Sequence, residues 1–206
     1  MKKIFLKLVV AFSLVILLAA CESSAQNDII TMHQNDITTT YVSGDYYVYS
    51  SVDSIAAEAT DIVRVEILDE RVESINLALP PQNEYENTGV YQEAYRISTV
   101  NRFRVLEVFK GDLETGDIRE VMQVGGELGN ENLENLYKVM LNIGDDLVLF
   151  LYSFEIENLP LVLLNPSQSA FRFLSSDNDE LESLNSQFDL GLRLEDLVRI
   201  SERYLD

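Results

Sequence analysis

Residues 95–124 read YRISTVNRFRVLEVFKGDLETGDIREVMQV, and this stretch decides the fold class. Ile97, Phe103 and Val105 share one phase of a two-residue period, whereas Leu106 and Val108 fall on the other. Successive side chains of a strand point to opposite faces, so a change of phase needs an extra residue, and the slip near Leu106 predicts a β-bulge. Lys110-Gly111-Asp112 and Thr115-Gly116-Asp117 supply turn chemistry, after which Ile118 to Val124 carries a second β pattern that stops at Gly125-Gly126. Together these segments predict an antiparallel hairpin.

The flanking sequence extends the same reading. Upstream, Asp61 to Leu68 alternates Val63, Val65 and Ile67 against Arg64 and Glu66, a half-buried strand. Before it, Val52, Ile55, Ala56 and Ala59 lie at helical spacing behind Ser50 or Ser51 as cap, with Asp53 placed to suit the helix dipole. Downstream, Gly144-Asp145-Asp146 introduces Leu147 to Leu151, continuously apolar as a strand buried on both faces would be. Pro160 to Leu164 and Ala170 to Leu174 predict two shorter strands, and Ser175 to Glu180 a polar loop. A closing helix runs from about Leu194 to Leu205, with Leu194, Leu197, Val198 and Tyr204 as its apolar stripe. Five or six short strands with one helix before and one after predict an α+β, mainly β fold: a small, partly closed antiparallel barrel.

The 206 residues suit one such domain plus an appended segment. Fifteen Lys and Arg against 35 Asp and Glu give a net charge of −20, which opposes nucleic-acid backbones. A hydrophobic share of 47% excludes a wholly disordered acidic chain. One cysteine forbids an intrachain disulfide, and one histidine leaves carboxylates as nearly the only ligands for a transition metal.

The first residues read as an address. Met1-Lys2-Lys3 is followed by an apolar run from Ile4 to Leu18, the profile of a secretory signal peptide and too short for a comfortable span. The run ends in Leu18-Ala19-Ala20-Cys21, which resembles the lipobox of bacterial lipoproteins. That resemblance implies cleavage between Ala20 and Cys21, acylation of the Cys21 thiol, and a cell-membrane anchor on the extracytoplasmic face. Each buried methylene contributes about 0.8 kcal/mol, so two or three acyl chains hold a protein without a transmembrane helix. Loss of residues 1–20 removes three lysines and no acid, taking the charge from −20 to −23. Residues 21–45 read as a lipidated cysteine and polar tether, and 46–206 as a single β-rich domain beginning near Tyr46-Tyr47-Val48-Tyr49. His33 sits in the tether, where no fixed orientation equips it as a catalytic base.

A second resemblance rests on Ala59-Thr60-Asp61-Ile62-Val63-Arg64-Val65, Phe103 to Gly111, Gly125-Gly126 and Ile143 to Leu151. These resemble exported bacterial domains whose strand order is similar to netrin-like domains of metalloproteinase inhibitors, which implies an OB-type barrel. Netrin-like inhibitors act through a disulfide-bonded N-terminal cysteine wedge. With Cys21 as the sole cysteine, protease inhibition does not carry over.

Motifs for chemistry are sparse. No phosphate loop, nucleophile elbow or H-E-x-x-H helix occurs, and Gly125-Gly126-Glu127-Leu128-Gly129 lacks dinucleotide-loop spacing and reads as a loop. Asp177-Asn178-Asp179-Glu180 lacks the glycine and twelfth-position glutamate of a calcium loop, where Phe188 stands. No cofactor or metal is expected. The segment Arg71 to Ala94, with Pro80, Pro81, Tyr85 and Tyr91, exceeds ordinary loop lengths and is the candidate binding loop. The tyrosines at 41, 46, 47 and 49 form a further aromatic group, read as edge-strand packing. The expected function is non-enzymatic: an envelope module binding a protein or other envelope component. The alternative is a carboxylate-based or metal-dependent envelope hydrolase, which requires a cleft of converging acids.

Overall fold

The computed structural model describes residues 37–77, 94–154, 156, 158–173 and 179–205. Ser51 caps the first helix, α1 (Val52–Glu58), through a reciprocal pair: Ser54 N donates to Ser51 Oγ and Ser51 N to Ser54 Oγ, each at 3.2 Å. Val52, Ile55, Ala56 and Ala59 turn inward, as their spacing requires. Ten strands lie among the described residues, in sequence order β1 (Thr38–Val42), β2 (Asp61–Asn76), β3 (Tyr95–Lys110), β4 (Ile118–Val124), β5 (Gly126–Leu128), β6 (Glu131–Asn135), β7 (Asp146–Tyr152), β8 (Leu161–Leu163), β9 (Ala170–Arg172) and β10 (Glu182–Ser183). Helix α2 (Leu194–Tyr204) is the last element among the described residues.

The fold is mainly β, built on a seven-stranded mixed sheet in the order β10-β9-β7-β2-β3-β4-β8. Strands β2 and β3 pair antiparallel along their whole length, longer than the eight residues of β2 that alternation marked. Arg64 opposes Glu107 and Val65 opposes Val105, so Leu106 is the extra residue of a bulge, as the phase slip required. β4 returns antiparallel to β3. β8 is shared: it runs parallel to β4 through Val121–Leu161 and Met122–Val162, and antiparallel to β7 through Leu151–Leu163 and Tyr152–Val162.

Strand β7 separates two apolar cores. Val148 and Phe150 face a cluster with α1 and α2, including Ile55, Phe171, Leu197 and Ile200. Leu147, Leu149 and Leu151 face the other, with Val65, Phe103, Val105 and Val121. All five are fully enclosed, which is why the run is continuously apolar. In α2 the stripe differs from expectation: Ile200 is buried and Val198 is 57% exposed. Leu197, Ile200 and Tyr204 follow the i, i+3, i+7 line toward the core, which leaves position 198 on the outer face.

Order also begins earlier than Tyr46. β1 pairs in parallel with β6, and β6 pairs antiparallel with β5 across a turn with Gly129 at φ 65°, a separate three-stranded sheet. Thr38 to Val42 is polar and exposed along most of its length, so no apolar alternation announces it. Gly126–Leu128, read as a loop, is a strand. Residues 43–49 form no strand; the segment is held by side chains, Asn165 Nδ2 donating to Tyr47 O at 2.8 Å and Gln168 Nε2 to Tyr49 O at 3.0 Å.

The glycine motifs are folding devices. At Gly111, φ is 103°, and a Cβ there would collide with the Asp61 carboxylate and Thr60 carbonyl. Lys110 beside it donates to the carbonyls of Ala56 and Ala57 at 2.9 and 3.0 Å, closing the C-terminal end of α1, and lies 4.3 Å from the centre of the Tyr204 ring. Thus the Lys110-Gly111-Asp112 turn joins the hairpin to both helices.

Candidate functional site

The outer row of the β2–β3 hairpin is a ladder of opposite charges. Arg104 meets Glu66 at 3.0 Å, Arg102 pairs with Asp69, Arg64 meets Asp146 at 2.7 Å, and Arg71 bridges Glu120 at 2.6 Å and Glu73 at 2.9 Å. All but Arg71–Glu73, which runs along β2, join different strands, and each contributes little because water reaches it. The Arg71 guanidinium holds the Glu120 carboxyl below its usual range. The face is internally matched, with its arginines already engaged.

A buried polar cluster lies under the 136–141 segment. Lys138 Nζ donates to Thr99 Oγ1 at 2.6 Å, and Thr99 Oγ1 donates to Gly125 O at 2.7 Å. Burial lowers the Lys138 pKa, with the Glu70 charge opposing that shift. Gln123 exchanges two hydrogen bonds of 3.1 Å with Val139, and Asn101 donates to Leu141 O at 3.2 Å. An amine beside a hydroxyl has the makings of a nucleophile and base, yet Thr99 is 1% exposed and its hydroxyl is committed to a carbonyl. This cluster ties the 136–141 segment to the sheet.

Among the accessible clefts, an apolar one of about 440 Å³ lies where β8 meets β4 and β7. Met122 comes from β4, Val162 from β8, Tyr152 from the end of β7, and Phe154 and Leu159 from the connection between β7 and β8, with Tyr46 on a further wall. Tyr152 and Phe154 stand edge to face, ring centres 5.2 Å apart, and are 36% and 45% exposed. Gln123 and Asn135 are the only amide side chains among the described lining residues, and no carboxylate lies there. Gln123 is already bonded to Val139, so the cleft offers contact area and aromatic edges. Among the described residues no group of three or more His, Cys, Asp and Glu is placed to hold a metal ion, and no helix is long and apolar enough to cross a membrane.

Ala20, Cys21 and His33, and the loop residues Pro80, Pro81, Tyr85 and Tyr91, lie outside the described residues. The ends of that loop are joined, Leu77 N donating to Ala94 O at 3.0 Å, and Leu77 lines the cleft. Of the tyrosine group, Tyr46 reaches the cleft, Tyr41 and Tyr47 are exposed, and Tyr49 is buried. Sequence reading missed Tyr152, Phe154, Leu159 and Val162. The available signal was an aromatic pair two residues apart just past an apolar strand, where polar turn residues are expected. No protein-family model, no curated protein and no solved structure matches the chain.

Proposed function

We propose that the chain is a lipid-anchored, extracytoplasmic binding module, held by acylated Cys21, that receives an apolar segment of an envelope protein without performing chemistry on it. The cleft carries this reading: two half-exposed aromatic rings over an apolar floor favour a hydrophobic segment with aromatic or aliphatic anchors. The charge, −23 once residues 1–20 are removed, keeps such a surface soluble and favours a partner of basic character. The leader profile and the Leu18-Ala19-Ala20-Cys21 sequence support the anchor.

The same reading takes the central strands as an OB-type barrel. β8 bonds to both β4 and β7, β7 bonds to β2, and β2-β3-β4 is a meander, pairings that support closure of these five strands into a ring. Their senses, with a single parallel pair between third and fifth strands of the ring, support the OB arrangement. The cleft then lies at the seam where the ring closes.

Site-specific photocrosslinking in cells tests the proposal. A photoreactive residue at Phe154 is expected to give a discrete adduct that Tyr152→Ser abolishes, while the same residue at Val198 gives none. Equal adducts at both positions, or none at Phe154, would overturn the binding reading. Separately, Cys21→Ser is expected to leave the membrane fraction and lose lipid labelling; membrane retention without label would overturn the anchor.

A further inference from the structure

Strand β1 is an open edge of the three-stranded sheet: the order is β1-β6-β5, and among the described residues nothing pairs with its other side. Thr38 N donates to Asn130 O at 2.9 Å and Leu136 N to Val42 O at 3.2 Å, so the backbone groups of Thr38, Thr40 and Val42 point at β6. Their direction alternates along a strand, which leaves the N–H and C=O of Thr39 and Tyr41 aimed outward. Proteins ordinarily guard such an edge with charge, proline or a bulge. The stretch of β2 beyond its pairing with β7 is guarded in that way, by Asp69, Glu70, Arg71 and Glu73. β1 is not. Its register with β6 is unbroken, and from Ile37 to Gly44 the sequence ITTTYVSG has neither charge nor proline in a chain that is 24% charged. Through Val42 every residue is β-branched or aromatic, and Ile37 to Tyr41 are exposed, Tyr41 at 66%.

An edge of this kind is completed by another extended strand. We infer that this strand is β1 of a second copy of the chain, paired antiparallel about a two-fold axis through Thr40. The register is self-complementary. With Thr40 opposite Thr40, Thr39 lies opposite Tyr41 and Tyr41 opposite Thr39, so the outward-facing residues form two pairs that each exchange two hydrogen bonds. The pairing with β6 then sets the rows across the joined sheet. One row runs Glu134, Tyr41, then Thr39 and Asn132 of the second copy; the next runs Glu131, Thr38, then Val42 and Asn135 of the second copy. No row sets one carboxylate beside another. The two copies of Glu134 stand three strand spacings apart, about 14 Å, beyond the screening length of about 8 Å at physiological salt. A five-residue edge covers far less than the about 800 Å² per partner of a stable soluble complex, so the pairing needs its two copies held together. A shared membrane does this, and that step rests on the reading of Cys21 as the anchor.

Oxidative crosslinking of the full-length, membrane-bound chain tests this. Thr40→Cys places two thiols across a non-hydrogen-bonded pair, whose Cα separation of about 4.5 Å suits a disulfide. It is expected to give about tenfold more dimer than Thr39→Cys, whose thiol is offset from that of the second copy by two residues along the strand. The wild-type chain, its one thiol acylated, is expected to give none. Thr39→Pro removes an outward N–H and no bond to β6; added to Thr40→Cys, it is expected to lower the dimer about tenfold at an unchanged urea midpoint. Equal crosslinking at positions 39 and 40, or a position-40 adduct with a different polypeptide in place of the dimer, would overturn the inference. Absence of the dimer from chain that is lipid-labelled and membrane-bound would overturn it too, with the anchor left standing. Should the chain carry no lipid, Cys21→Ser/Thr40→Cys protein oxidised in solution at about 1 mM decides the pairing separately. A dimer there upholds it, and none defeats pairing and anchor together.

Discussion

Gly111 and Lys138 carry opposite lessons at the scale of the residue. Gly111 occupies φ 103° directly over Asp61, so a methyl group meets both backbone strain and the carboxylate. Gly111→Ala is expected to destabilise the domain by about 2–3 kcal/mol, measured by urea denaturation, while Gly116→Ala, at φ 94° but with open space around its Cβ position, meets the strain alone and costs less. Lys138 is a cost the fold tolerates. Burial lowers its pKa below the ordinary lysine value of 10.5, so on raising the pH the folded protein releases this proton before the unfolded chain does. The unfolded state then binds more protons, and this contribution to stability rises with pH up to about 10.5. Lys138→Met is expected to flatten that rise, read from denaturation midpoints over a pH series; an unchanged slope would assign the effect elsewhere. Neither residue's role was visible one position at a time. Lys-Gly-Asp read as a turn, but that its lysine caps α1 required the helix to be in place.

Among the elements, those with a strong local period were legible. Helix α1 was marked by its cap and its i, i+3, i+4 face, and β7 by an apolar run too dense for a half-exposed strand. The bulge at Leu106 was readable because alternation is strict, so a single inserted residue inverts every side chain after it. Strands β1, β5 and β6 were not, since they are short, polar and largely exposed, and only mutual pairing fixes them as strands. The cap of α1 gives a test at this scale. Ser51→Ala removes the acceptor for Ser54 N, and about 1 kcal/mol of stability is expected to go with it. Ser51→Asp, which keeps an acceptor and adds a charge favourable to the dipole, is expected to restore that loss. Failure of the aspartate to restore it would mean that packing, rather than capping, sets the start of the helix.

The whole molecule is organised around β7, whose alternating side chains belong to two cores. Phe150 packs with Phe171 at 5.8 Å between ring centres on the helical side, and Leu149 lies on the opposite face. Truncating either to alanine is expected to cost about 2–5 kcal/mol. Because one strand feeds both cores, each variant is expected to shift a single cooperative transition, followed by both aromatic and backbone signals. Two separated transitions would show that the cores melt independently. By itself the sequence determined the mainly β class, the central hairpin with its bulge, the buried strand and both helices, because backbone period and turn chemistry are local properties. Only the tertiary structure decided the cleft and the open edge of β1: the walls of the cleft come from residues as distant as Tyr46, Met122 and Phe154, and the edge is set by the pairing of β1 with β6. Such a surface exists when strands far apart in sequence pair in one register, and no window along the chain contains that information.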